Sequence, residues 1–421
     1  MTSRPPDGCF VYITLPGETE QVVAARFEIR KSRTASTGRL VYGRSYLERR
    51  NAVAIDPVQL FGLDDKVHEH AGDSPLFPSL RDALPDRWGR LVIDRSEGGE
   101  LDDIGYLLRT PDDRSGALGF GLNSVPPGPT YVFNKTLRLE ELMDAAQAVL
   151  SDAQADKELV RRYEQLNLVG TGMGGARPKA VVEDDEGLWL AKFPRNDDKF
   201  DVPRGEHAAL LLAQEAGIST VESKLAAIGD RSVLLVKRFD REKTEAGYLR
   251  HRMISALTVL QASESATDTS RWSYPLLADA LGRYDQDHAR SKRELFLRVV
   301  FNALISNADD HPRNHAMIAD ARGWKLSPAY DLLPHSQVAQ VRFLAMKIGD
   351  DGRAATFSNL LSTSPRFGVP RDEAERLIKT MRASISDRWY PVCRSVGMSE
   401  ADCGYLATAF EFEGFGTAEA P

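Results

Sequence analysis

Residues 301–334, FNALISNADDHPRNHAMIADARGWKLSPAYDLLP, predict both the fold class and the chemistry of this chain. The apolar start predicts the end of a buried helix, and a polar loop follows in which Asp309 and Asn314 stand five positions apart. A predicted hairpin then leads to Asp331. Phosphoryl-transfer enzymes use this order of side chains: a carboxylate for the hydroxyl nucleophile, then an Asn and an Asp that hold Mg²⁺.

The segments on either side of the loop predict how it is held. Residues 294–306 carry apolar side chains on one helical face, which predicts a packed helix that delivers the loop at its C-terminal end. Residues 316–318 and 324–326 predict a hairpin that returns Asp331 beside Asn314. Two oxygen ligands from separate segments suit Mg²⁺, which keeps waters and substrate phosphates at its other positions. The alternative is a polar loop whose Asp and Asn side chains only cap local backbone groups.

Three further side chains of the loop have competing interpretations. On composition alone, Asp310 competes with Asp309 for the role of catalytic base. We include His311 among the candidate cofactor-binding residues, although a structural hydrogen bond suits it better than metal ligation. His315 is its one neighbour at ligand spacing, and Pro312 argues against the helix that such a zinc pair would need.

A glycine-rich turn at residues 170–175, GTGMGG, is a candidate for binding the phosphates of a nucleotide. Glycines let backbone N–H groups approach phosphate oxygens closely. The turn is not a Walker A loop, because it lacks that spacing and the Ser or Thr after Lys179. The alternative is an ordinary loop. The candidate cofactor-binding residues here are Gly172, Gly174, Gly175 and Lys179.

Lys192 and Glu206 extend the nucleotide-site prediction. Lys192 lies on a predicted strand at residues 188–193, among apolar neighbours, as the strand lysine of protein kinases does. Glu206 opens the next predicted helix, residues 206–216, and is placed to pair with it. The alternatives are a lysine at an exposed sheet edge and a carboxylate that interacts with the helix dipole. Their occurrence in kinase order favours the nucleotide site.

Residues 236–240, VKRFD, follow the strand predicted at residues 232–238. Their backbone is a candidate for contacting the edge of adenine, with Lys237 and Phe239 as cofactor-binding residues and Phe239 covering the base. The alternative is a strand that ends in an Arg/Asp surface turn.

The composition describes a soluble globular protein with an acidic balance. Apolar residues make up 42% and charged residues 27%, and the net charge is −7. This charge disfavours direct DNA binding by the chain as a whole but leaves a DNA-binding partner open. Cys9, Cys393 and Cys403 form neither a zinc pattern nor a disulfide framework. We expect no structural metal, no signal peptide, no membrane span and a cytoplasmic location.

The predicted fold class is α+β, in a bilobal, protein-kinase-like arrangement. It has an N-terminal β-rich subdomain, a small β lobe and a larger helical lobe. Strands are predicted at residues 10–14 and 22–29, and one helical face at residues 78–96. The predicted divisions are an N-terminal subdomain at 1–125, a nucleotide-binding lobe at 126–245, a helical catalytic lobe at 246–410 and a frayed tail at 411–421.

Taken together, these motifs resemble the HipA family of bacterial serine/threonine kinases, the toxins of HipBA-type toxin–antitoxin systems. The resemblance covers most of the chain, and the pairing of DxHxxN with SPAYD is specific. The motifs that carry it are LPDRWGR (84–90), GGARPK (174–179), LAKF (190–193), Glu206, RFDR (238–241), DDHPRN (309–314) and SPAYD (327–331).

The resemblance implies ATP and Mg²⁺ as cofactors. It makes Asp309 the catalytic base and Asn314 and Asp331 the metal ligands. It also implies that Lys192 holds the nucleotide phosphates and that residues 237–239 contact adenine. Family toxins phosphorylate an aminoacyl-tRNA synthetase, chiefly the glutamyl enzyme, which arrests growth. A small helix-turn-helix antitoxin, HipB, carries the toxin to its operator, so contact with DNA would be indirect and the complex nucleoid-associated.

The glycine-rich turn departs from the family pattern. Many HipA toxins autophosphorylate a serine there, whereas Thr171 supplies the hydroxyl in this turn. Autophosphorylation at Thr171 is therefore a hypothesis. The competing functions are a small-molecule or lipid phosphotransferase and a non-catalytic module that binds an antitoxin.

Overall fold

The structure is a computed structural model that describes residues 7–33, 35–128, 133–151, 175–265 and 267–416. The chain forms two compact units. The first contains Met1–Ala191, Arg238–Thr258 and Ile318–Arg322; the second contains Lys192–Lys237, Val259–Met317 and Gly323–Pro421. Both helices and strands are present, so the predicted α+β class is confirmed. The predicted divisions of the chain stay predictions.

The strands of the described residues follow in chain order. They are β1 (Gly8–Thr14), β2 (Gln21–Lys31), β3 (Ser36–Tyr42), β4 (His68–His70), β5 (Leu118–Gly121), β6 (Asn134–Lys135), β7 (Lys179–Asp184), β8 (Gly187–Lys192), β9 (Ser223–Ile228), β10 (Arg231–Lys237), β11 (Arg241–Thr244), β12 (Gly247–Arg250), β13 (Arg252–Ser255), β14 (Ala316–Ala319) and β15 (Trp324–Leu326).

The helices of the described residues are numbered in the same way. They are α1 (Arg44–Leu47), α2 (Pro78–Arg81), α3 (Arg87–Glu97), α4 (Asp103–Arg109), α5 (Leu139–Ser151), α6 (Val202–Glu215), α7 (Ala256–Leu260), α8 (Tyr274–Tyr284), α9 (His288–Leu304), α10 (Phe357–Ser362), α11 (Arg371–Ser395) and α12 (Glu400–Phe410). Among these helices, none is both long enough and apolar enough to cross a bilayer.

The first unit begins with an antiparallel sheet in the strand order β4-β3-β2-β1-β5. Val11 and Ile13 of β1 are fully buried, which places this strand in the core. Later in the same unit, β6 pairs with β7 in parallel, and β7 neighbours β8. The strands predicted at residues 10–14 and 22–29 are therefore confirmed as parts of β1 and β2.

The helical face predicted at residues 78–96 is divided into α2 and α3. Pro85 stands between them, and the residue before a proline is disfavoured in helical conformation. Asp86 then caps α3, because its side chain accepts a hydrogen bond from the backbone N–H of Gly89 at 2.9 Å. Trp88, Val92 and other apolar residues of the prediction are buried.

The second unit is built around α9, which is buried along most of its length and contacts α8 and α11. β9 and β10 form an antiparallel pair, and α6 packs against them. The predicted hairpin is present as β14 and β15, and it closes where the backbone N–H of Ser327 donates to the carbonyl of Ala316 at 2.9 Å. Helix α6 begins earlier than predicted, at Val202, because Asp201 caps it.

Candidate active site

The end of α9 presents the polar loop. Ser306 has a φ of 55°, in the left-handed region that non-glycine residues rarely adopt, and it turns the chain away from the helix. Its hydroxyl donates to the carbonyl of Ala409 at 2.9 Å. Asn307 is tied back to buried Asn302 twice: backbone N–H to carbonyl at 2.9 Å and side-chain amide to Oδ1 at 3.0 Å. The loop therefore starts from a fixed point.

Asp310 is the buried anchor of this loop, with 1% of its surface exposed. Its Oδ2 accepts from the Nδ2 of Asn302 at 2.7 Å and from the Tyr274 hydroxyl, and it lies 2.8 Å from the Nε2 of His315. Burial, together with the charge and the hydrogen bond of Asp310, raises the pKa of Tyr274 well above its usual value. Tyr274 therefore remains a hydrogen-bond donor to this carboxylate.

Asp309 has the opposite environment to its neighbour, because it is exposed. Its backbone carbonyl accepts from the N–H of His311 at 2.8 Å and from the side-chain amide of Asn314 at 3.3 Å. A general base must be within reach of the proton that it takes. Of the two aspartates that the sequence left in competition, Asp309 is the one that a substrate hydroxyl can reach.

Asn314 carries a buried acceptor that has no donor among the residues that the structure describes, as Asp310 also does at its Oδ1. It ends a short 3₁₀ turn, Pro312–Asn314, and is 3% exposed. Its Nδ2 is engaged by Asp309, but its buried Oδ1 makes no hydrogen bond to the described part of the chain. A buried oxygen without a donor is rare in proteins. The Oδ1 of Asn314 therefore fits the predicted role of a metal ligand.

Lys192, Glu206 and Asp331 form a compact charged cluster in the second unit. The Nζ of Lys192 lies 2.6 Å from an oxygen of Glu206 and 2.6 Å from an oxygen of Asp331. Burial lowers the pKa of Lys192, but attraction to Asp331 and Glu206 outweighs it, so the net pKa is raised and the ammonium stays charged. The ion pair between Lys192 and Glu206 that the sequence predicts is present.

Asp331 is held in an unusual backbone conformation, with a φ of 58°. Such a conformation costs of order 1–3 kcal/mol and clusters at functional sites. The segment before it is fastened on both sides: Ala329 exchanges backbone hydrogen bonds with Ser219 and Val221, and the Tyr330 hydroxyl donates to the carbonyl of Arg313 at 2.8 Å. The side chain of Asp331 is 32% exposed, so its carboxylate is fixed yet accessible.

Within the described residues, no group of three or more His, Cys, Asp or Glu side chains could hold a metal. That result is compatible with Mg²⁺, which is often bound by one or two carboxylates together with substrate phosphates and waters. The unpaired Oδ1 of Asn314 and the accessible carboxylate of Asp331 supply hard oxygen donors of the right kind. The residues present therefore fit this ion.

The other predicted cofactor residues have local partners. Lys237 is half-buried, and its Nζ lies 2.8 Å from Glu222. His311 is half-buried near Trp272, with a ring-centroid distance of 6.4 Å, and its Nδ1 makes no hydrogen bond within the described residues. Phe239 is half-buried. The roles of Lys237, His311 and Phe239 stay predictions.

The residues that flank Phe239 form an ionic cluster inside the first unit. Asp240 accepts from the guanidinium of Arg238 at 2.7 Å and from that of Arg241 at 2.8 Å. Burial raises the pKa of Asp240, but the charges of Arg238 and Arg241 hold it well below its usual range. The RFDR motif therefore forms a buried ion-pair cluster within the first unit.

The glycine-rich turn is described only from Gly175 onward. Thr171, Gly172 and Gly174 lie outside the described residues. Gly175 has a φ of 104°, which favours glycine, and Lys179 is 2% exposed and pairs with Asp86. Sequence reasoning missed Asp86, Tyr274 and Asn302. Asp86 and Tyr274 are 93 and 36 positions from the groups that they hold, whereas Asn302 is eight positions from Asp310. The visible signal for Asp86 was an Asp at a predicted helix start.

Comparisons with known proteins identify the family of this chain. The model of the HipA-like C-terminal domain matches residues 171–389, just over half of the chain. A protein of Haemophilus influenzae that is named provisionally as a kinase is 23% identical over 199 residues, 42% of this chain and 58% of its own length. Kinase Y4mE of Sinorhizobium fredii, also a provisional name, is 26% identical over 300 residues, 65% of this chain and 67% of its own length.

A solved structure shows the fold more completely. The HipA toxin of Shewanella oneidensis MR-1, described in complex with HipB and its operator DNA, aligns over 95% of both chains with a TM-score of 0.68 at 17% identity. At this identity the likeness establishes the fold alone. The chain spans 58% of the length of its Haemophilus influenzae relative, which limits what that relative's name says about the whole protein.

Proposed function

Because this chain belongs to the HipA-like family, we propose that it is an ATP- and Mg²⁺-dependent protein kinase that phosphorylates serine or threonine hydroxyls. The observation that best supports the proposal is the cluster of Lys192, Glu206 and Asp331, with both carboxylates 2.6 Å from the ammonium. The same unit carries the loop of Asp309 and Asn314. A lysine held by a helix glutamate, a base and two oxygen donors are the parts that phosphoryl transfer requires.

Each residue has a distinct role in the proposed reaction. Asp309 accepts the proton of the substrate hydroxyl as the hydroxyl oxygen bonds to the terminal phosphorus of ATP and the bond from that phosphorus to the bridging oxygen breaks, which releases ADP. Lys192 balances the charge of the nucleotide phosphates, and Glu206 fixes the direction of its ammonium. Asn314 and Asp331 would hold Mg²⁺, which when bound neutralises the charge that develops on the transferred group. Asp310 does not transfer a proton; it keeps the loop in place.

We propose a toxin's role in a toxin–antitoxin pair as the biological setting. The Shewanella oneidensis HipA is described with HipB and operator DNA, and an Escherichia coli relative, 26% identical over 197 residues, is named Toxin YjjJ. The family resemblance favours an aminoacyl-tRNA synthetase, of the glutamyl type, as the substrate and a HipB-like helix-turn-helix protein as the partner. The proposed location is the cytoplasm, with DNA reached through the antitoxin.

The test is transfer of label from terminally labelled ATP. The purified chain is incubated with Mg²⁺, labelled ATP and a dialysed bacterial lysate, and separately with purified glutamyl-tRNA synthetase. Label on serine or threonine of a protein band, absent with Asp309→Asn, is the expected result. Label that appears only in small molecules would replace this proposal with a small-molecule phosphotransferase. Growth arrest that persists in Asp309→Ala would favour a non-catalytic module.

A further inference from the structure

Lys179 stands at the foot of the glycine-rich turn, in the first unit. It is the first residue of β7 and lies four positions after Gly175. The lysine is 2% exposed, although lysines are almost never fully buried without a partner. Its ammonium also lies 3.4 Å from the carbonyl oxygen of Gly175. The side chain of Lys179 therefore contacts the end of the glycine-rich turn, while its backbone begins β7.

The partner of this lysine comes from the start of α3. The Nζ of Lys179 lies 2.5 Å from the Oδ2 of Asp86, whose side chain is 4% exposed. The other carboxylate oxygen of Asp86 accepts from the backbone N–H of Gly89 at 2.9 Å. One carboxylate therefore joins the first turn of a helix to the lysine, and it uses a separate oxygen for each task.

Trp88, two residues later, holds the same lysine by its backbone. Its indole Nε1 donates to the carbonyl of Lys179 at 2.9 Å, and the side chain is 1% exposed. The first turn of α3 thus fastens Lys179 at its ammonium and at its carbonyl. These two contacts join α3 to both the side chain and the backbone of Lys179.

The geometry of Gly175 is matched to this arrangement. A Cβ added there would lie 3.0 Å from the Nζ of Lys179, in addition to the strain of a φ of 104°. The backbone of the turn therefore ends against a lysine that α3 holds still. Backbone groups that bind phosphate act best when they are fixed before the ligand arrives.

We propose that Asp86 and Trp88 are positioning residues for nucleotide binding, acting through Lys179 on the segment from Gly175 to Lys179. This inference rests on the proposed function, together with the prediction that the glycine-rich turn, which ends in this segment, contacts the phosphates of ATP. It assigns the LPDRW motif, which the catalytic scheme does not use, to the preparation of the nucleotide segment. Neither side chain is proposed to touch the nucleotide.

The test uses Asp86→Asn, which keeps a side-chain oxygen to cap α3 but removes the charge that pairs with Lys179. The matched control is Asp102→Asn, because exposed Asp102 caps α4 in the same way, accepting from the N–H of Gly105 at 2.8 Å. The second test variant is Trp88→Phe, which removes the bond to the Lys179 carbonyl. The measurements are KM for ATP, kcat, the Kd for ATP by calorimetry and the melting temperature.

The expected result is a rise in KM and Kd for ATP of about tenfold in Asp86→Asn, the scale of one lost charge-assisted hydrogen bond, with kcat within about threefold. Trp88→Phe should shift the same constants in the same direction, and Asp102→Asn should leave them unchanged. If Asp86 and Trp88 only stabilise the fold, the variants should have a lower melting temperature but no rise in KM at a nearly constant kcat. The inference is overturned if folded Asp86→Asn and Trp88→Phe bind ATP as the unmodified chain does.

Two further measurements separate the possible failures. If Asp86→Asn does not fold, the double variant Asp86→Leu with Lys179→Met replaces the ion pair by apolar side chains, and nucleotide affinity that equals the unmodified chain's would overturn the inference. If the unmodified chain itself binds no ATP in the presence of Mg²⁺, both the proposed function and this inference are rejected. Normal ATP binding with insensitive variants rejects the inference alone.

Discussion

Lys192 and Lys179 are both paired with carboxylates, yet their surroundings differ. Lys179 of the first unit pairs with Asp86, and the two side chains are 2% and 4% exposed. Lys192 of the second unit meets two carboxylates, and one of them, Asp331, is 32% exposed. The first pair is closed to solvent, whereas the second is open on the side of Asp331.

The difference separates a buried ion pair from a cluster that is open to a ligand. Breaking the buried pair of Lys179 and Asp86 lowers the free energy of unfolding, in addition to the weaker ATP binding proposed above. An open cluster with an extra carboxylate on a strained backbone can accept a new partner, and its loss costs mainly activity. Asp309 and Asp310 repeat the contrast within one loop, because the first is exposed and the second buried.

The largest effect is expected at the open site, from Asp309→Asn. Removal of a general base lowers the rate by about 10²–10⁴-fold, and an exposed side chain contributes little to stability. The measurements are kcat with labelled ATP and the urea midpoint. Asp310→Asn serves as the comparison, because loss of this buried carboxylate should lower the urea midpoint more than Asp309→Asn does. Near-normal turnover by Asp309→Asn would defeat the assignment of the base.

The closed pair is tested by Lys179→Met, which leaves the Asp86 carboxylate buried without its cation. Breaking a buried pair in this way costs about 3–5 kcal/mol in the free energy of unfolding. Urea denaturation measures it, and the double variant Asp86→Leu with Lys179→Met should recover most of the loss. A single variant as stable as the unmodified chain would show that the pair is not closed in solution.

Asp113 of the first unit is also buried, and its raised pKa predicts that the stability of the chain depends on pH. Burial raises its pKa to about 6, despite the nearby charges of Arg238 and Arg241, and its Oδ1 makes no hydrogen bond within the described residues. The folded chain then holds a proton that the unfolded chain, with a carboxyl pKa of about 3.9, releases. This contribution to stability therefore falls as pH rises from about 4 to 6.

Asp113→Asn removes that titration, so the variant should be more stable than the unmodified chain above pH 6 by on the order of 2 kcal/mol. Below pH 4 the two should converge. Urea midpoints from pH 4 to 8 measure the difference, with exposed Asp230→Asn as the control. A difference that is constant across this range would contradict the raised pKa.

The smallest effect is expected from Tyr274→Phe, which removes one of the donors to Asp310. Loss of a hydrogen bond to a charged group costs about 1–3 kcal/mol of stability. The melting temperature should fall while kcat changes far less than in Asp309→Asn, and Tyr390→Phe, at a 43% exposed position, should change neither. A rate loss as large as that of Asp309→Asn would place Tyr274 in the chemistry instead of in the support of the loop.

The sequence predicted those features that depend on local order. The β14–β15 hairpin was predicted from the local sequence pattern and the pairing of Lys192 with Glu206 from the kinase-like order of the motifs, and both are present. Which aspartate of the loop is buried depends on Asn302 and Tyr274, which lie on two different helices. No local pattern encodes that choice, so the sequence left it open.

The bond between Asp86 and Lys179 joins residues that are 93 positions apart, and only the fold brings them together. The start of α6 was missed for a different reason. Asp201 followed by Pro203 is a helix-start signal that outweighs the position of the first apolar residues. Long-range partners required the structure, whereas this boundary was available in the sequence.

We propose that the open cluster of Lys192, Glu206 and Asp331 binds a metal–nucleotide complex. Calorimetric titration with ATP, with and without Mg²⁺, tests it most directly on the unmodified chain and on Asp331→Asn. We predict that Mg²⁺ tightens ATP binding to the unmodified chain and has little effect on Asp331→Asn, since that variant loses a metal ligand. Equal dependence on Mg²⁺ in the two proteins would contradict the claim.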